Sequence, residues 1–195
     1  MTSSPRSTID QLPDPTTVPT AGLLPRVAAY LVDQFVIVPL LYGLYYFTVV
    51  QPNLYGVLAC WLLEFLYKPL AESYYGCTAG KALLRLRVVD RFSERPPGLN
   101  QSFIRYIPFA VAHFAALFVL LRMRESADFQ EVTTLQEYVT FTSVYPLRNS
   151  FVVSFCNNFP VFSAVWLILD PWNRALHDRW AQTFVIRKIP LQSTD

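Results

Sequence analysis

Ionisable side chains stand inside stretches of this sequence that are otherwise apolar, and their spacing gives the first chemical reading. Arg26 and Asp33 lie about 10 Å apart along a helix and on nearly the same face, at 1.5 Å rise per residue. In 61-WLLEFLYKPLAESYYG-76, Glu64, Lys68 and Glu72 recur every four residues and form one charged stripe. Arg105 opens a third apolar stretch, His113 lies two turns deeper in it, and Asp170 closes a fourth. Carboxylates and cations held away from water can do two things. They can pass protons or monovalent cations along a polar seam, or they can neutralise one another and fix the register of the helices. Both readings stay open.

Other chemistries fit less well. The three cysteines, Cys60, Cys77 and Cys156, are scattered, with no metal spacing and no disulfide framework. The run 76-GCTAGK-81 has only three residues between its glycines where a Walker A loop has four, and Ala82 replaces the hydroxyl that binds magnesium. Gly76 and Gly80 are expected to let the backbone turn at a membrane surface, leaving Lys81 for a lipid phosphate or a nearby carboxylate. The run 176-LHDR-179 lacks the further ligands of a metal-dependent hydrolase, since the only other histidine is His113. The chain therefore reads as a non-enzyme without a cofactor. Its net charge of +2 is too small to imply nucleic acid.

These residues must be positioned by membrane-spanning elements. The chain is 53% hydrophobic and only 15% charged, against about 25% charged residues in ordinary soluble domains. A bilayer core of about 30 Å takes roughly 20 apolar residues of helix. Four stretches qualify, at 27–50, 54–70, 103–121 and 151–169, with Pro39, Pro108 and Pro160 inside three of them as expected kink positions. Residues 1–22 are rich in Ser, Thr and Pro and read as a disordered tail without the apolar core of a signal peptide. With both termini in the cytoplasm, twelve Lys and Arg residues fall inside and three outside, so that orientation is expected. The connection at 122–149 is long, and 128-DFQEVTTLQEYVTF-141 is expected as a short helix on the outer surface.

Helix geometry then predicts an ionic layer in the cytoplasmic half of the bundle, made by Arg26, Asp33, Glu64, Lys68, Glu72, Arg105 and Asp170. The second span runs inward, so Arg26 comes level with Glu72 and Asp33 with Lys68. Glu64 has no cation at its own depth and is expected to be protonated. Next to the second span, 84-LRLRVVD-90 alternates with period two, and 183-TFVIRK-188 is rich in β-branched and aromatic residues. These two are expected to pair as a small cytoplasmic sheet. Asp178 and Arg179 are expected to anchor the tail to the bundle, with Trp180 at the interface.

Three blocks resemble the RDD family of small integral membrane proteins: 25-PRVAAYLVD-33, 76-GCTAGKALLRLRVVD-90 and 170-DPWNRALHDRWAQTFVIR-187. They bracket almost everything between Leu24 and Arg187, in order. The resemblance implies motif positions at Arg26, Asp33, Gly76, Thr78, Gly80, Lys81, His177 and Asp178, with Asp170 an alternative to Asp178 in the defining triad. Ala79 stands where the family usually has proline, and Ala82 where it often has a basic residue. Some members resemble cation–proton antiporters and others act as partners in membrane assemblies.

The expected architecture is an all-α membrane protein with about four transmembrane helices and a small two-stranded β element. It comprises a tail at 1–22, an RDD-like transmembrane domain at 23–188 and a short tail at 189–195. The expected setting is the bacterial plasma membrane, with lipid, monovalent cations or protons, and a second copy or another membrane protein as partners.

Overall fold

The computed structural model describes residues 19–93 and 95–187. Residues 1–18 of the expected N-terminal tail and the C-terminal stretch from 188 onward, with Lys188, lie outside the described residues. In chain order the elements are α1 (Leu23–Tyr45, continued by a π-helical turn at Tyr46–Val50), α2 (Leu54–Tyr75), α3 (Ala79–Leu83), β1 (Leu86–Asp90), α4 (Leu99–Arg124), α5 (Leu135–Val144), α6 (Phe151–Leu169), α7 (Leu176–Trp180) and β2 (Thr183–Arg187). The chain is mostly helical, and α1, α2, α4 and α6 are each long and apolar enough to cross a membrane.

The helices begin where the sequence supplies acceptors for orphan amides. Asn53 accepts from the amides of Tyr55 and Gly56 at the start of α2, and Ser150 accepts from Val153 at the start of α6. α2 ends at Gly76, whose left-handed φ of 71° closes the helix and turns the chain. α2 runs to Tyr75, beyond the expected boundary at residue 70, and α4 starts at Leu99 instead of residue 103. The extra turn of α2 carries Glu72, which is buried against Lys81 and Arg105, and that of α4 carries Gln101, which bonds Asp90.

Packing is sequential. α2 lies between α1 and α4, and α4 between α2 and α6, whereas α1 and α6 touch only lightly. Trp61 and Phe65 of α2 stack at 5.2 Å and meet Phe114 and Tyr106 of α4. The outward surface is apolar: Leu24, Phe35 and Phe151 are each at least 80% exposed. A protein in water would have to cover such residues, whereas around a membrane-spanning bundle lipid would cover them.

β1 and β2 pair antiparallel, with Leu86 opposite Arg187 and Asp90 opposite Thr183. β1 begins two residues later than the expected segment because Leu84 follows α3 directly and Arg85 takes a left-handed φ of 56°. Residues 19–21, read from sequence as part of the tail, run along the other edge of β2: Thr20 bridges Ile186, and the Ala21 amide donates to Val185 at 2.8 Å. Ala21, Ala29, Leu86, Val88 and Val185 form a small buried core that seats the sheet on the start of α1.

At the opposite end, the 122–149 connection holds a 3₁₀ turn (Ala127–Glu131) and α5. α5 starts at Leu135 because Thr134 and Glu137 cap it reciprocally. Tyr138 packs its ring 5.5 Å from that of Tyr45 and so lays α5 against the end of α1.

Candidate functional site

The charged residues of α1, α2 and α4 meet at the sheet end of the bundle, together with α7 and the α3 segment. Asp178 sits at the centre. Its Oδ2 accepts from Arg26 Nη1 at 2.5 Å and its Oδ1 from Arg105 Nη1 at 2.5 Å. The Ala175 amide donates to Oδ2 at 3.1 Å. Arg105 also donates through Nε to Glu72 Oε2 at 3.0 Å and through Nη1 to Thr183 Oγ1 at 2.5 Å. Glu72 receives a further bond from Lys81 Nζ. The result is one continuous row, Arg26–Asp178–Arg105–Glu72–Lys81. Burial alone would raise the Asp178 carboxyl, but Arg105 and Arg26 outweigh it and hold the group well below the usual carboxylate range.

Asp33 belongs to a separate arrangement built from uncharged donors. Its Oδ1 accepts from the Gly80 amide at 2.7 Å and from Tyr67 Oη at 3.1 Å; its Oδ2 accepts from Thr78 Oγ1 at 2.6 Å. The α3 segment thus supplies donors at its N-terminus, and Asp33 binds it to α1. Gly80 is required for close approach and not for a turn: a Cβ there would fall 2.0 Å from the Ala29 carbonyl oxygen. That corrects the expected role of Gly80, while Gly76 keeps the turning role.

Above this layer α1, α2, α4 and α6 enclose a cavity of about 570 Å³. Lys68 lies in its wall with Nζ 3.2 Å from the centre of the Phe109 ring. Deeper, Glu64 Oε1 is 3.2 Å from His113 Nε2, and His113 Nδ1 is 3.0 Å from the Phe109 carbonyl oxygen. Gln34 and Asn157 complete the polar lining there.

The expected pairing of Arg26 with Glu72 and of Asp33 with Lys68 is not what the fold makes. Helix register alone omits the short segments α3 and α7, and these carry the actual partners, Thr78, Gly80, Lys81 and Asp178. Glu64 is not without a partner either, because His113 reaches it from α4. Asp170 stands apart from the row. It bonds Arg174 through Nε at 3.0 Å and Nη2 at 3.1 Å, closing the turn between α6 and α7. Tyr67, Thr183 and Phe109 were not picked out from sequence, because a tyrosine, threonine or phenylalanine in an apolar run carries no positional signal. Arg179, expected to anchor the tail to the bundle, lies over the ring of Trp166 on α6 at 5.5 Å.

His177 Nδ1 lies 2.7 Å from Ser163 Oγ, within hydrogen-bond distance. Burial lowers its pKa to about 3, against the attraction of Asp178 and with help from Arg105. Below pH 6.5 the unfolded chain therefore binds a proton that the folded chain refuses until about pH 3. Stability should fall as pH drops through that window, with a slope of about 1 kcal/mol per pH unit from this group. Asp178 adds to the slope only below about pH 5, where the carboxyl of the unfolded chain begins to take up a proton that the folded chain refuses, so the interval from pH 6.5 to about 5 reports His177. Thermal unfolding of the purified protein between pH 7 and 4 checks the assignment: His177→Gln should flatten the decline, and parallel curves would remove it.

Residues 20–182 match the family model described as the RDD family. No curated protein and no solved structure matches the chain significantly.

Proposed function

The chain belongs to the RDD family, and on that premise we propose that it is a multi-pass membrane carrier in which Glu64 and His113 exchange a proton, coupled to a monovalent cation. One observation carries the reading. The Phe109 carbonyl can only accept, so the tautomer that satisfies it carries its proton on His113 Nδ1, with Tyr106 Oη 3.3 Å from both ring nitrogens. In a neutral ring Nε2 is then an acceptor, and it faces Glu64 Oε1 at 3.2 Å. An ionised carboxylate is an acceptor too. The contact holds only with one further proton, on Glu64 or on His113, and that proton lies beside a cavity. The family resemblance to cation–proton antiporters supports the coupling. The excess of Lys and Arg in the tails and in the 76–105 connection supports cytoplasmic termini in a bacterial plasma membrane.

A second reading, an assembly module in which the charges are structural, is favoured by the Arg26–Asp178–Arg105–Glu72–Lys81 row, where every member already has a partner. Its partner would be a second copy or another membrane protein. Neither reading is enzymatic. Ser163, His177 and Asp178 do stand in sequence, at 2.7 and 3.4 Å. Ser163, however, is fully buried, and Asp178 is occupied by two arginines.

The test is purified protein in vesicles loaded with a pH-sensitive dye and pulsed with Na⁺, K⁺ or Li⁺. Glu64→Gln should reduce proton flux to that of empty vesicles while leaving abundance and melting unchanged. Asp33→Asn should instead lower abundance, since it breaks the attachment of α3. Wild-type protein with no flux above empty vesicles would defeat the carrier reading and leave the assembly module.

A further inference from the structure

We infer that the cavity among α1, α2, α4 and α6 binds a single-chain amphiphile with an anionic head, which enters from the lipid between α1 and α6 and places its head at Lys68. This goes beyond the carrier reading, and such binding needs no proton exchange. The argument begins with the charges the cavity wall presents. Arg26, Lys68, Lys81 and Arg105 line it, against only Asp33 and Glu64. The carboxylates that neutralise the row, Glu72 and Asp178, are 1% and 0% exposed and do not line it. Both lining carboxylates are already engaged, Asp33 by Thr78, Gly80 and Tyr67, and Glu64 by His113. Arg26, Lys81 and Arg105 are held by Glu72 and Asp178, which leaves Lys68 as the lining cation outside the row.

Lys68 is the cation with capacity to spare. Among the described residues no carboxylate lies within ion-pair distance of it, and the contact its ammonium makes is with the face of Phe109. The ring face attracts the charge electrostatically but accepts no conventional hydrogen bond. It leaves the ammonium's N–H donors without an acceptor, so an anion has a place to bond.

The rest of the cavity is apolar, and it reaches the surface sideways. Val27 and Tyr30 of α1 and Val161, Val165 and Ile168 of α6 line the interior, yet each is also exposed on the outside of the bundle, Ile168 at 65%. The same residues form both surfaces because α1 and α6 scarcely touch. A volume of about 570 Å³ falls within the usual range for small-ligand sites, roughly 300–1,000 Å³. An anionic head at Lys68 with an apolar chain leaving through this seam satisfies both parts of the lining.

Radiolabelled palmitate binding to the full chain in phosphatidylcholine nanodiscs tests the inference. Binding should saturate, and unlabelled palmitate or lysophosphatidate should displace the label. Hexadecanol, with the same chain and no charge, should compete at least about tenfold more weakly, the loss of one charge-assisted bond. Lys68→Met, which keeps the stem, should weaken palmitate by a similar factor. Ala164→Phe fills the cavity from α6 without touching a charge and should abolish saturable binding, which decides the matter if Lys68→Met does not fold. Equal competition by hexadecanol, or wild-type binding by a folded Ala164→Phe protein, would overturn it.

Discussion

Asp178→Ala should be the most damaging single change in the charged row, destabilising the protein by about 3–5 kcal/mol. The magnitude comes from what remains behind. Arg26 and Arg105 converge on the two oxygens of one carboxylate, each at 2.5 Å, and Asp178 has no exposed surface. Removing it leaves two largely buried guanidinium groups converging on one site without their shared counter-charge. Arg26→Ala should cost less, because Asp178 keeps Arg105 and the Ala175 amide. Melting in detergent, with monodispersity by gel filtration, ranks the two. An Asp178→Ala protein that melts within about 1 kcal/mol of wild type would show that the row contributes little to stability.

The second large effect is expected at Gly80. Its α-hydrogen faces the α1 backbone, and the Cβ of alanine would sit 2.0 Å from the Ala29 carbonyl oxygen. A backbone atom cannot swing aside as a flexible side chain can, so α3 must move. That movement lengthens the 2.7 Å bond from the Gly80 amide to Asp33 and disturbs the Thr78 bond beside it. Overpacking costs about 1–3 kcal/mol, and a buried carboxylate losing a donor costs about another 1–3 kcal/mol. Limited trypsin digestion offers a local readout: Lys81, 8% exposed in the fold, should be cleaved much faster in Gly80→Ala. Gly22→Ala is the matched control, since nothing lies within 4 Å of its added Cβ. Equal cleavage rates in the two variants would refute the close-approach role.

The two effects share a cause. The α3 segment and α7 are five-residue helices, too short to be stable on their own. They hold their places through bonds to the long helices, α3 through Asp33 and Glu72, α7 through Arg26 and Arg105. The polarity of this end of the bundle is therefore mainly a docking arrangement, with Glu64, His113 and Lys68 left over, facing the cavity.

Much of the architecture could be read from residue order. The four spans, the pairing of β1 with β2 and the RDD blocks all rest on signals local to a segment: length of apolar run, period-two alternation and motif spacing. The set of charged residues was legible for the same reason, since an ionisable group in an apolar stretch stands out by composition. Who pairs with whom was not. Arg26 and Asp178 are 152 positions apart, and nothing in either segment encodes the other's distance. Helix register predicted Glu72 for Arg26 because it compared only the long helices; tertiary structure inserted α7 and gave Arg26 to Asp178. Likewise Gly80 is a turn residue by type, and only the approach of α1 makes it a contact residue. Transfer energies and periodicities belong to single segments, whereas ion pairs and cavities arise when several segments meet.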